Sequence, residues 1–494
     1  MELYNEKDVV LIEEKIDEIT KGIEEKKLEI FEPTKKELLA TNKIILDYIK
    51  EHKRKIYGGY AQNVLIKNKN PSDAFYDESC IPDIDFYSSD PINDLIAISN
   101  LLKEGGHKPV EGKEATHKET YSIFVNYVNV CDISYVPKNI YNKLPFIEIG
   151  GINYVHPSFI NIDFYRIMSD PYWSGDFRWK KIFSRLYKLQ KNYPFNKASK
   201  PLTNAYDVPE PVSEIVTKLH TYIFDQIKNK ENYIIFGQYA YNILLLESGI
   251  MEDKKMSDKY KPINIPFLQI VSTNYIQDAA TLIVNLKNSF KDLANDITFI
   301  EFYPFWMLTG YSTIVYYNKI PIIHITSNNK RCIPIKKVPA KLFINRKVKK
   351  DDGSIQIGCF DFIFLMNLVT GLRERVNMVE EKTHYHNIMT SHLIEMRSYY
   401  LNKNKKNLLD NTLFQSFIPT CIGPTIDPTR EIRLIREKKY KEGKLVIFRY
   451  NPEEPIKAPD YKFANTSGNP INKDINFKIT KYVIDPSELE KLKS

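Results

Sequence analysis

Cysteine is scarce in this chain: five in 494 residues, Cys80, Cys131, Cys332, Cys359 and Cys421, with no Cys-x-x-Cys pair and no regular spacing. That pattern argues against a structural zinc site and for a reducing compartment. His384, His386 and His392 cluster loosely, and without cysteines nearby they read as surface residues of a helix. Long apolar runs are missing too. The longest, around residues 360–369, is about half of what a membrane span needs. The opening MELYNEKDVV carries acidic residues where a signal peptide would have a basic start and an apolar run. No membrane partner is expected, and a soluble intracellular protein is. Nor does one sign of charge dominate. The 70 basic and 62 acidic side chains leave a net charge of +8, compatible with a polyanionic partner without requiring one.

What is plentiful is tyrosine and phenylalanine, 33 and 26 residues. They rise together with Ile, Lys and Asn, as AT-rich coding would produce, so their number does not mark an RNA face. At this length a single core is excluded and about three domains are expected. Residues 1–54 form a helical N-terminal region in which Pro33 separates two helices, one spaced on Val10, Ile12, Ile16, Ile19 and Ile23, the other on Leu38, Leu39, Ile44, Ile45 and Tyr48. Short β-rich and helical runs alternate over 55–135: a strand at 55–57, a helix after Gly58-Gly59, a strand at 81–88, a helix at 92–102 and one or two strands at 121–135. Residues 157–192 are helical, 192–211 read as a linker, and 212–227 are helical again.

The chain then repeats itself. Lys55-Ile-Tyr-Gly-Gly-Tyr-Ala-Gln-Asn63 lies beside Ile234-Ile-Phe-Gly-Gln-Tyr-Ala-Tyr-Asn242, Gly58 matching Gly237 at an offset of 179. Ile81-Pro-Asp-Ile-Asp-Phe86 lies beside Ile265-Pro-Phe-Leu-Gln-Ile270 at 184, and Tyr121-Ser122 beside Tyr311-Ser312 at 190. Three matches in one order with slowly drifting offsets indicate a duplication with small loop insertions. Its second half lacks the acids: Asp83 faces Phe267, Asp85 faces Gln269, and Asp132 faces approximately His324. The first half is expected to catalyse and the second to shape a cleft or hold substrate.

In a strand, Asp83 and Asp85 share one face. Carboxylates that close repel unless a cation lies between them, and hard oxygen donors without His or Cys select Mg²⁺ or Mn²⁺. Asp132, in the strand-like Val130-Cys-Asp-Ile-Ser134, supplies a third carboxylate, enough for a two-metal site that activates a hydroxyl and steadies a triphosphate. Gly58 and Gly59, lacking side chains, let backbone N–H groups and the start of the next helix approach a phosphate.

These residues resemble the nucleotidyltransferase superfamily of the DNA-polymerase-β type, and more narrowly the poly(A) polymerase catalytic subunits of poxviruses and giant cytoplasmic DNA viruses. The resembling stretches are Ile56–Asn63, Pro82–Tyr87, Cys131–Ser134, His156–Phe159, Asp163–Arg166 and Phe177–Lys181 with Arg185-Leu186. The resemblance implies an α+β fold of tandem nucleotidyltransferase-like domains, mixed sheets flanked by helices, the first active and the second degenerate. The expected divisions are 1–54, a catalytic domain at 55–192, the degenerate domain at 212–370, and a C-terminal region at 371–494 with a basic run and an extended arm.

It further implies Asp83, Asp85 and Asp132 as the catalytic metal triad, ATP as substrate, and an RNA 3′ end as acceptor. Gly58 and Gly59 become the phosphate-side turn, with Tyr60 and Asn63 beside them. Cellular relatives of this superfamily usually place Ser after the glycine; here Gly59 and Tyr60 follow, so contact there falls to backbone amides or Tyr60. Family members pair either with a second copy of themselves or with a cap methyltransferase, and act in the host cytoplasm (the viral factory) or virion; the sequence leaves the partner open.

Lys181 and Arg185 lie on one helical face with Lys188, where a triphosphate or an RNA backbone could use them. Arg430, Arg433, Arg436, Lys438 and Lys439 belong to the densest basic run, a candidate RNA contact in a helix–turn–strand ending at Leu445–Phe448. Template-independent polyadenylation is the leading expectation. Oligouridylation, tRNA end repair, small-molecule modification and a non-catalytic RNA-binding scaffold are the alternatives.

Overall fold

The computed structural model describes residues 3–77, 80–117, 119–174, 178–202, 208–210, 212–342, 353–424, 428–443 and 448–454. Phe177, residues 445–447 of the expected C-terminal strand, and all but the first residues of the expected C-terminal arm lie outside them. Of the described residues, 3–160 with 428–454 form one compact unit and 161–424 the other. The division falls at residue 160, where sequence character placed it at 192.

The first unit opens with α1 (Glu6–Ile30) and α2 (Lys35–Glu51), separated at Pro33 as the sequence predicts. Each begins with a capping box, Asn5 with Asp8 and Thr34 with Glu37. α1 buries none of its residues, whereas α2 buries Ile45, Tyr48 and Ile49. The chain continues through β1 (Lys55–Tyr57), α3 (Gly58–Lys69), β2 (Ile84–Ser88), α4 (Pro91–Glu104), β3 (Val110–Glu114), β4 (Thr120–Val125) and β5 (Val128–Tyr135). α5 (Lys138–Lys143), β6 (Phe146–Ile149), β7 (Ile152–Val155) and α6 (Pro157–Met168) follow, the last crossing the division between units.

The second unit holds α7 (Pro171–Ser174), α8 (Arg178–Asn192), α9 (Val212–Ile227), β8 (Tyr233–Phe236), α10 (Gly237–Ser248), β9 (Leu268–Ser272) and α11 (Tyr275–Ser289). It goes on with β10 (Ile297–Phe302), β11 (Ser312–Tyr317), β12 (Ile320–Ser327), β13 (Ile333–Pro339), β14 (Ser354–Gly358), α12 (Phe360–Val376), α13 (Glu380–Lys403) and β15 (Cys421–Ile422). The chain then returns to the first unit with α14 (Pro428–Lys441) and β16 (Arg449–Tyr450), whose pairing with β3 extends that sheet.

The two sheets have one plan. Their orders are β16-β3-β4-β5-β2-β1-β7-β6 and β10-β11-β12-β9-β8-β14-β13-β15. Taken pair by pair, each parallel or antiparallel junction of the seven shared strands recurs in the other sheet. The fold is therefore α+β with mixed sheets flanked by helices, and the duplication extends to the ladders. One register differs from the letter match. Ser122 lies opposite Asp132 and Ile314 opposite His324, so β4 aligns with β11 at an offset of 192, not 190. The hairpin turns agree, with positive φ at Asn126-Tyr127 and at Asn318-Lys319. A slip of two residues keeps every side chain on its face, so the Tyr-Ser coincidence could mislead without breaking the pattern.

Two further expectations are corrected. Cys332 and Cys421 form a disulfide, so the thiols are not all free as a reducing compartment would keep them. The partners are 89 residues apart and meet because β13 pairs with β15, which no sequence spacing announces. The histidines of α13 are not a surface set: His384 is exposed, but His386 is half-buried and His392 fully buried. α13 packs against both α10 and α12, so more than one of its sides is interior.

Candidate active site

The site is built on the middle of the first sheet. Asp85 lies opposite Tyr57 on β1 and opposite Asp132 on β5. Directly paired residues project to one face, so the two carboxylates stand side by side on adjacent parallel strands. Their neighbours Ile84, Phe86, Cys131 and Ile133 point the other way and are completely buried, which fixes the register that aligns the acids. Asp83 falls one residue before β2 and is exposed, although the sequence placed it inside the strand. Pro82 has no N–H for the ladder, which explains the later start.

One carboxylate oxygen from each of Asp83, Asp85 and Asp132 lies within 4.8 Å of the other two. Burial first, then the charges of Asp83 and Asp132, push the Asp85 carboxyl well above the ordinary carboxylate range. Asp132 is oriented by two donors that share a single oxygen: Ser122 Oγ donates to Oδ1 at 2.6 Å and Asn129 Nδ2 at 3.1 Å. A little further along the same face, the Tyr57 and Tyr87 rings stack at 3.9 Å and Tyr57 Oη lies 2.7 Å from Ser134 Oγ. Three oxygen donors, mutually repelling and without nitrogen or sulfur among them, fit a hard divalent cation such as Mg²⁺ or Mn²⁺.

The turn after β1 is tied to the same carboxylate. Gly58 has φ +69°, and a Cβ there would overlap Asp85 Oδ2. Gly237 repeats both features, with φ +68° and Gln269 Oε1 in the place of the carboxylate. The glycine is therefore required by the packing of the next strand in either half, in addition to any approach of a phosphate. Tyr60 is half-buried on α3 beside it.

Asn63, grouped with the nucleotide contacts by its sequence position, spends its side-chain oxygen on the backbone N–H groups of Phe75 and Tyr76, at 2.8 and 3.0 Å. Asn242 does the same work in the second unit, accepting from Ile263 N and donating to Ile263 O, both at 2.9 Å. Its retention in a half without carboxylates follows from this pinning of the connection to β2 and β9.

The second half has closed over. Phe267, Gln269 and His324 are all buried, with the Phe267 and His324 rings nearly parallel at 6.4 Å. Gln269 and His324 stand opposite each other across β9 and β12, as Asp85 and Asp132 do across β2 and β5. Burial, with the charge of Arg373 adding to it, holds His324 neutral.

The remaining sequence candidates are dispersed. Lys181 is exposed and Arg185 half-buried on α8, in the second unit. Arg430, Arg433, Lys438 and Lys439 are exposed on α14, in the unit that carries the triad. Arg436 of the same helix is committed elsewhere, to the Glu114 carboxylate at 3.0 Å and the Ala115 carbonyl at 2.7 Å. Ser122 and Asn129, which orient Asp132, were not among the sequence candidates. Only a strand register could have brought Ser122 to notice.

Comparison with known proteins gives one answer along the chain. Residues 43–174 match the family "Poly(A) polymerase catalytic subunit", and residues 211–481 match "APMV, Putative poly(A) polymerase, catalytic subunit, C-terminal". The "Putative poly(A) polymerase catalytic subunit" of Acanthamoeba polyphaga mimivirus is 35% identical over 95% of this chain and 83% of its own length. The protein of the same name from African swine fever virus (strain Badajoz 1971 Vero-adapted) is 29% identical over 32% of this chain and 34% of its own. The crystal structure of the Megavirus polyadenylate synthase superposes with a TM-score of 0.85 at 31% identity, covering 97% of this chain and 94% of that one. The chain belongs to the viral poly(A) polymerase catalytic subunit family.

Proposed function

We propose that the chain is a template-independent polynucleotide adenylyltransferase that adds AMP from ATP to RNA 3′ ends at the Asp83–Asp85–Asp132 face. The observation that carries this reading is the convergence of three carboxylates by strand register, in the one half of a duplicated fold that retains them. Asp83, Asp85 and Asp132 are the residues that would hold Mg²⁺ or Mn²⁺, in the two-metal arrangement that such a triad suits. The chemistry a divalent cation supplies at such a site is a lowered pKa for an attacking hydroxyl and neutralisation of triphosphate charge.

The protein's own part is positioning. Ser122 and Asn129 hold one oxygen of Asp132 and so set the rotation of its carboxylate. Gly58 leaves the volume that the Asp85 carboxylate fills, and α3 starts there with its first N–H groups unsatisfied by the helix, suited to a phosphate. The exposed cations of α14 are an RNA-backbone surface in the same unit, with Arg436 left out of it. Lys181 and Arg185 are proposed as further phosphate contacts.

The test is extension of a labelled RNA primer by each nucleotide in turn with Mg²⁺ or Mn²⁺, using the whole chain and an Asp83→Asn/Asp85→Asn variant. Long tails with ATP alone, and at least about a thousandfold slower extension by the variant, are expected. Equal extension by the variant would remove the triad from the chemistry. Tails made from UTP, or no extension with any nucleotide, would remove the polyadenylation reading.

A further inference from the structure

The second unit carries a cavity of about 360 Å³ on the face of its sheet that the catalytic half uses for its acids. Ile314, part of its lining, stands opposite His324, which stands opposite Gln269; in the first half the same three ladder positions are Ser122, Asp132 and Asp85. Tyr316 is two residues along the same face of β11, and Phe302 closes the end of β10. Thus the duplicate has buried the position of the acids, and a cavity lies next to it.

The lining has three chemical parts. Phe302, Tyr303 and Tyr316 are aromatic. Lys319, Lys382 and Arg373 bring positive charge, Lys319 from the exposed hairpin turn between β11 and β12. The end of α12 contributes acceptors: the Glu374 carboxylate, and Asn377 Oδ1, which is buried and has no hydrogen-bond partner. A buried acceptor left unpaired costs free energy that a ligand donor would recover. Aromatic rings with cations suit a nucleotide, and two acceptors suit a base whose edge carries an exocyclic amine. Uracil presents carbonyl oxygens there, which a carboxylate repels. The volume falls in the small-ligand range of roughly 300–1,000 Å³.

We propose that this cavity binds an adenine nucleotide unit of the RNA tail, giving the acid-free half a substrate-holding role. Only the choice of the tail as source rests on the polyadenylation reading. The probes are fluorescent oligoadenylate and oligouridylate, bound without ATP or divalent cation to the full chain carrying Asp83→Asn/Asp85→Asn, and followed by anisotropy.

Oligoadenylate is expected to bind more tightly than oligouridylate. Lys319→Glu should weaken both by about three- to tenfold and flatten their salt dependence. Asn377→Leu should remove most of the preference for adenine while leaving oligouridylate binding unchanged, and an unchanged unfolding midpoint separates this from misfolding. Lys319→Glu, at an exposed turn, serves where Asn377→Leu does not fold. No adenine preference in the parent, or binding untouched by Lys319→Glu, overturns the proposal. So does displacement by AMP as effective as by oligoadenylate, which would give the cavity to free nucleotide. Since nothing turns over, a failed extension assay leaves this test standing, and a failed binding test leaves extension untouched.

Discussion

Ser122 shows how a residue without chemistry of its own can set the orientation of a candidate metal-binding carboxylate. Its hydroxyl reaches Asp132 from the neighbouring strand at 2.6 Å, and it binds the oxygen already shared with Asn129. Removing the hydroxyl takes away the shorter of the two hydrogen bonds and leaves the carboxylate freer to rotate. Groups that orient a ligand in this way are worth about 10–100-fold in metal affinity. Ser122→Ala is therefore expected to raise the Mg²⁺ or Mn²⁺ concentration needed for half-maximal extension by about tenfold, with a smaller change in the rate at saturating cation. A metal titration of extension rate checks this, and an unchanged half-saturation point would assign Ser122 to packing alone. The triad was legible in the sequence because each acid sits in a short motif. Ser122 was not, because its importance arises from the ladder β4–β5, and the letter match aligned it with Ser312 when its structural counterpart is Ile314.

The same distinction holds among elements. Local signals were readable: Pro33 between α1 and α2, and the glycine that opens α3. Pairings between distant segments were not, and the disulfide is the clearest instance. Cys332 precedes β13 and Cys421 opens β15, so the bond staples the outermost strand of the second sheet across 89 residues of chain. β15 has only two residues and, among the described residues, little else in the ladder to hold it.

Closing a loop of that length is worth about 2–4 kcal/mol in practice, nearer 5 kcal/mol by chain entropy alone. Reduction is expected to lower the unfolding free energy of the second unit by that amount and to leave the first unit unaffected. Thiol titration of the denatured chain should find the three free cysteines Cys80, Cys131 and Cys359 before reduction and all five after it. Five reactive thiols in untreated protein, or identical unfolding curves with and without reductant, would contradict the staple.

Over the whole molecule, the two copies of one fold have diverged in charge as well as in chemistry, and pH should separate them. The second unit encloses neutral histidines. Burial pushes His220 and His392 down to about 4 and His386 to about 3, the last helped by Arg373 and Lys382. The hydrogen bonds of His220 and His392 suit the neutral ring. In His220, Nε2 donates to the Ile322 carbonyl and Nδ1 accepts from Tyr239 Oη; in His392, Nε2 donates to the Lys200 carbonyl and Nδ1 accepts from Tyr241 Oη. A second proton on Nδ1 would force the tyrosine hydroxyl to turn from donor to acceptor in both.

Because the folded values lie below the unfolded one, near 6.5, the unfolded chain binds protons first as pH falls. The stability these histidines confer is complete above about 6.5 and is lost as pH drops towards 4, at of the order of 2 kcal/mol for each by pH 5. No described histidine of the first unit is buried, so that unit should outlast the second on acidification. Urea unfolding at pH 7 and pH 5, followed by hydrogen exchange to resolve the units, is the measurement. His220→Gln/His392→Gln is expected to reduce the pH slope of the second unit even though it lowers stability at pH 7. An unaltered slope in that variant, or the first unit opening before the second at pH 5, would mean that these rings do not govern acid sensitivity.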